Sequence, residues 1–128
     1  PQRRRAREDV ERFIAQAAQL DLLANAELSL VRRSGRFVMS GGKTPEWLGE
    51  TLRSLTAALR ALARDPAGEA ARGEARAHAV DAAAGARQHT ASNPEVVALA
   101  EQARAMARDV LYVTGLGADQ ASEALAGA

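Results

Sequence analysis

The stretch WLGETLRSLTAALRAL, residues 47–62, decides the fold. Leu48, Leu52, Leu55, Leu59 and Leu62 recur at alternating steps of four and three, which aligns all five along one face of an α-helix as a coiled-coil seam. Thr44 is placed to cap this helix, Pro45 suits the first helical position, and Glu46 adds negative charge to the first turn. Asp65-Pro66 closes it. Burying the five leucines contributes on the order of 8–15 kcal/mol before chain entropy opposes it.

Composition extends this reading to the whole chain. Of 128 residues, 47% are hydrophobic but only 3% aromatic, so the apolar content is mostly alanine and leucine, both strong helix formers. So little aromatic and β-branched material argues against a sheet. The length suits one domain with a single modest core. Three further amphipathic stretches flank the leucine seam.

The first covers residues 4–34, where Val10, Phe13, Ala17, Leu20, Ala24, Leu28 and Val31 form the expected inner stripe, widened by Ile14, and Gly35 is the expected stop. The third covers residues 66–90, with Ala70, Gly73, Ala77, Val80 and Ala84 as its expected inner face. Small residues allow a neighbouring helix to approach closely but bury little area. Gly68, Gly73 and Gly85 each cost about 1 kcal/mol relative to alanine inside a helix, so this element is expected to be the weakest, bent or broken. The fourth covers residues 94–114. Asn93-Pro94-Glu95 supplies cap, proline and acid, Val96, Leu99, Ala103, Met106, Val110 and Val113 form the stripe, and Gly115 and Gly117 end it. The expected fold is all-α, an antiparallel four-helix bundle with a basic tail at 1–7 and a tail at 118–128 that frays or forms one more short turn of helix.

No residue set specifies a reaction. Gly42-Lys43-Thr44 has the ending of a P-loop, but the first glycine of that motif should fall at residue 37, which is Phe37, and a helix rather than a strand precedes it. His78 and His89 are eleven residues apart, roughly 16 Å on a continuous helix, too far to share a metal. Carboxylates such as Glu8, Asp9, Glu69 and Glu74 sit among arginines, as on a solvated helix face. Cysteine is absent, which removes disulfides and thiolate sites. A formal net charge of +1, with acids interleaved among the arginines, gives no footprint for nucleic acid. The chain is expected to be non-enzymatic, with no cofactor and no metal.

Trp47-Leu48-Gly49 resembles the turn signature of the small secreted WXG helical-hairpin proteins. Here the triplet lies inside a helix start, and four residues past Tyr112 stands Leu116 where that family's export signal has an acid. A secreted partner protein is the third functional expectation.

The basic opening Pro1-Gln2-Arg3-Arg4-Arg5, the long Ala/Leu helix after it, and the run from Thr51 to Arg64 together resemble the soluble cytoplasmic segment of bacterial FUSC-type membrane proteins, the fusaric acid resistance and aromatic acid exporter group. The resemblance implies a helical region on the inner face of the cell membrane, in an assembly associated with efflux of aromatic acids. It carries over no functional residue. Arg3, Arg4, Arg5 and Arg7 are then juxtamembrane, where Lys and Arg mark the cytoplasmic side, and the membrane is a partner by attachment only. The leading expectation is a cytoplasmic interaction or assembly domain binding its own kind or its membrane-embedded parent through Phe37, Val38, Met39 and Trp47. The alternative is a sensor bundle with a ligand cavity among Leu52, Leu55, Val80 and Met106 beside the thin third helix.

Overall fold

The leucine seam turns inward. In the computed structural model, which describes residues 1–87 and 93–128, Leu48, Leu55 and Leu62 are buried, and Leu52 and Leu59 pack half-buried against the same core. They belong to α2 (Glu46–Arg64), which follows α1 (Gln2–Met39) and precedes α3 (Glu69–Arg87), α4 (Pro94–Val113) and α5 (Ala118–Ala126). Among the described residues there is no strand, and the fold is all-α.

Side-chain pairs between the helices fix their directions. Thr51 of α2 meets Ala82 of α3, and Arg64 near the end of α2 meets Glu74 near the start of α3. Arg104 of α4 meets Ala83, while Arg76 reaches Thr114 just past the end of α4. Arg33, late in α1, meets Glu95, early in α4, and Glu27 meets Thr56. Helices α1 to α4 therefore run up, down, up and down, with α1 beside both α2 and α4.

The core is leucine on two helices and methyl groups on the third. Leu55, Leu62, Leu99, Val110 and Leu111 are fully buried, facing Ala75, Ala79, Ala82, Ala83 and Ala86 of α3. The fourth stripe is as expected, with Val96, Leu99, Ala103, Met106 and Val110 inside and Val113 packed at its edge. Asn93 caps α4 by accepting from the Glu95 amide at 2.9 Å.

The third helix differs from the expectation in phase and in integrity. Ala70, Gly73 and Ala77 face solvent, and Val80 and Ala84 lie half-buried beside the true inner face. Val80 is the largest apolar side chain on the helix, but an all-alanine line lets α2 come closer. The Thr51 hydroxyl donates to the Ala82 carbonyl at 3.2 Å, and a Cβ on Gly85 would lie 2.7 Å from that same hydroxyl oxygen. Helix α3 is unbroken from Glu69 to Arg87, shorter at its start than the expected 66–90; residues 88–90 lie outside the described residues.

The first helix runs past both expected ends of 4–34. Residues 2–7 are helical rather than a frayed tail. Gly35 is an exposed helical position, and Phe37 beyond it is buried, so the helix continues until the core no longer rewards it. It stops at Ser40 with Gly41 at φ +90°; the amides of Gly41 and Gly42 donate to the carbonyls of Val38 and Phe37, each at 3.1 Å. That pair of bonds is a Schellman ending. Gly115 (φ +102°) and Leu116 repeat it after α4, donating to Tyr112 and Leu111. Helix α2 starts one residue later than drawn from sequence, because Pro45 has extended backbone (ψ 142°) and itself occupies the cap position expected of Thr44.

Of the two alternatives for 118–128, the structure takes the helical one rather than fraying. Ala121 and Leu125 of α5 are buried, and the Arg87 guanidinium donates to the carbonyls of Ala126 and Ala128.

Replacing Ala82 with leucine at the α2–α3 contact is expected to cost about 1–3 kcal/mol by overpacking. Gly73→Ala, where an added Cβ meets nothing within 4 Å, is expected to stabilise by roughly 0.5–1 kcal/mol. Urea denaturation of both variants measures the contrast.

Candidate interaction surface

Helix α1 has 38 residues, whereas α2, α3 and α4 have 19, 19 and 20. At 1.5 Å per residue it is about 57 Å long beside a bundle about 30 Å tall. Its C-terminal half buries Leu23, Leu30, Ser34 and Phe37. Leu23 already lies beside Asp109, Tyr112 and Val113 at the end of α4. Toward the N-terminus the bundle has ended, and residues 1–15 are all exposed.

This projecting arm keeps an apolar stripe. Val10, Phe13 and Ile14 are 58%, 70% and 60% exposed, and Ala17, Ala24, Leu28 and Val31 continue the line along the outside of the packed half. Sequence periodicity assigned these residues to the inner face. The structure instead buries the line through Leu23, Leu30, Ser34 and Phe37, about a third of a turn around the helix. The arm's charges hold it only weakly. Arg4 pairs with Glu8 at 3.4 Å and Arg7 with Glu11 at 3.3 Å, both exposed and in the less favourable arginine-first order. The first turn contains no acid, and Arg3, Arg4 and Arg5 stand at the positive end of the helix dipole.

The surface expected from sequence divides. Val38 and Met39 are exposed, Met39 by 87%. Phe37 is buried rather than available at the surface, because its ring lies across the turn: a Cβ on Gly42 would stand 2.5 Å from its Cζ. Trp47 is half-buried against the core in the first turn of α2, inside a helix rather than between two. Arg3, Arg4, Arg5 and Arg7 are all exposed on the arm.

Leu52, Leu55, Val80 and Met106 occupy different settings among the described residues. Leu55 and Met106 are buried in the core and Val80 is half-buried on α3, while Leu52 lines an open groove of about 860 Å³ with Ala57, Ala63, Arg53, Arg60 and Arg64.

A polar cluster ties α1 to α4. Arg33 donates to Glu95 at 2.7 Å and 3.3 Å and to Gln102 at 3.1 Å. The hydrogen bonds from Arg33, followed by the charges of Arg33 and Arg36, hold the Glu95 carboxyl below the usual carboxylate range, against an opposing effect of desolvation. The same hydrogen bonding raises Arg33. Deeper in, Arg104 donates to the Ala83 carbonyl at 2.7 Å; burial, then the charges of Arg87 and Arg108, lower its pKa.

Among the described residues no group of three or more His, Asp or Glu side chains is placed to hold a metal ion. His78 lies 3.9 Å from Glu74, and His89 lies outside the described residues. The Gly42-Lys43-Thr44 triplet follows the end of α1, without the strand that a phosphate loop requires. No protein-family model, curated protein or solved structure matches the chain.

Because the Glu95 pKa is depressed in the folded state, its contribution is present above the unfolded carboxylate range and is lost as pH falls through the folded value. Glu95→Gln is expected to lower the melting temperature modestly at pH 7, and the difference from the native chain should narrow as pH falls below the usual carboxylate range. Thermal denaturation across pH checks this.

Proposed function

We propose that the chain is a non-catalytic interaction and assembly domain whose contact element is the projecting half of α1. One observation carries the reading: Val10, Phe13 and Ile14 form an apolar stripe on a helix that has outrun its own bundle. Exposed apolar stripes on helices mark interaction surfaces, and helix-on-helix docking uses this three- and four-residue spacing. Val38 and Met39, at the other end of the same helix, are a smaller exposed contribution.

The experiment compares the full chain with a Phe13→Glu, Ile14→Glu double variant by cross-linking in the host cell. Both positions lie outside the core, so the melting temperature is expected to stay within about 2 °C, while the cross-linked species are lost. An unchanged cross-linking pattern sinks the proposal.

A finer part of this reading places the domain on the cytoplasmic face of an efflux-type membrane protein. Arg3, Arg4, Arg5 and Arg7 support it, since basic residues flank membrane spans on that side. Among the described residues no helix is long and apolar enough to cross a membrane, so in this reading the spans belong to the parent chain. A natural start codon just upstream of Pro1, with no apolar span encoded on either side, rejects it.

A second reading, a sensor for small organic acids, rests on the α2 groove, where Arg53 and Arg60 rim the apolar floor of Leu52, Ala57 and Ala63, and Arg64 is paired with Glu74 at its edge. Thermal-shift measurements with aromatic acids are expected to show stabilisation that Arg60→Glu removes. No shift across the set counts against the groove as a site.

A further inference from the structure

The arm's charges and length indicate what covers its apolar stripe. Arg3 and Asp21 are about five helical turns apart, so both lie on the same edge of α1, one at each end of the stripe. Both are exposed, and among the described residues neither is ion-paired, although Arg4 and Arg7 are. Val10, Phe13 and Ile14 fall between them.

We infer that the arm pairs antiparallel with the arm of a second copy of this chain, about a two-fold axis near Arg12. This rests on the assembly reading above and names its partner. Side chains on the same edge of two antiparallel helices are neighbours when they are equally far from the axis. Arg3 of each copy then meets Asp21 of the other, giving two ion pairs. Val10 faces Ile14 of the second copy, and the two Phe13 rings flank the axis, an aromatic contact at the centre of the stripe.

The length fits as well. The overlap from Arg3 to Asp21 ends where Leu23 meets the last turns of α4, so each tip reaches the other copy's bundle and stops. A two-helix overlap of this size buries on the order of 1,000–1,200 Å² in total, at the lower edge for a specific interface. A parallel pairing would instead stack Arg3, Arg4, Arg5 and Arg7 on their own images. An anionic membrane surface fits less well, because Glu8, Asp9 and Glu11 interrupt the basic residues, and Glu8 and Glu11 already pair with Arg4 and Arg7.

Sedimentation equilibrium of the full chain is the test, with circular dichroism confirming that each variant keeps its helices. The expected species has twice the 13.5 kDa chain mass. Asp21→Arg and Arg3→Asp are each expected to raise the dissociation constant at least about tenfold, and the double variant is expected to recover most of the loss. The chain has no cysteine, so single introduced thiols report direction. Mixed Val10→Cys and Ile14→Cys proteins are expected to join through a short bismaleimide. Arg3→Cys alone is not, because its two copies would be about 27 Å apart.

Failure of the double charge reversal to restore association, or efficient cross-linking of Arg3→Cys alone, overturns the antiparallel pairing. A monomer at every concentration overturns self-association, whether or not the chain binds anionic vesicles. That last outcome leaves the assembly reading intact, since cross-linking in the host cell also detects unlike partners.

Discussion

Thr51 donating its hydroxyl proton to the Ala82 carbonyl is possible only because α2 and α3 approach backbone to backbone, and that approach shapes the whole molecule. The chain has four aromatic residues, two phenylalanines, one tryptophan and one tyrosine, and cannot fill a wide core. It narrows the core instead. Ala75, Ala79, Ala82, Ala83 and Ala86 present methyl groups to the interior, and the leucines of α2 and α4 occupy the space that larger residues on α3 would have taken. Interiors pack at crystal-like density, so a bundle poor in volume must bring its backbones together.

Arginines supply much of the polar bonding across these close contacts. Arg76 donates to the hydroxyl and carbonyl oxygens of Thr114, where α4 ends, and Arg87 donates to the final carbonyls after α5. Elsewhere, Arg104 donates to the Ala83 carbonyl within α3, and Arg72 to the Pro66 carbonyl between α2 and α3. A helix terminus leaves its last carbonyls without intrahelical partners, and a guanidinium with five donors is well suited to them. Many of the arginines that give this sequence its basic look are thus employed inside the fold. The arginines of the arm are different, reaching out from a helix with no neighbour.

That arm follows from a mismatch of lengths. Helices α2 to α4 match each other, and α1 is twice their size, so among the described residues those at 1–15 stay exposed. The packed half uses one side of the helix, while the apolar stripe runs on along another. The helix thus carries two apolar faces, of which the bundle buries one and leaves the other exposed.

The sequence by itself determined the helices and much of the core. Leucine spacing in residues 48–62 and the Asn93-Pro94-Glu95 start of α4 were legible because period and capping are local, set within one or two turns. Which side of a helix faces inward is not local. On α1 both the Val10–Val31 stripe and the Leu23–Phe37 line have helical spacing, and only the positions of α2 and α4 select the second. On α3 the single valine drew the expected face toward Val80, yet the alanine line was buried because it allows the closer approach. The pairing of Arg33 with Glu95 joins segments far apart in the chain and exists only once α1 and α4 are side by side. Local chemistry sets where a helix begins and ends, whereas its rotation and the exposure of its arm are decided by the shape of what it packs against.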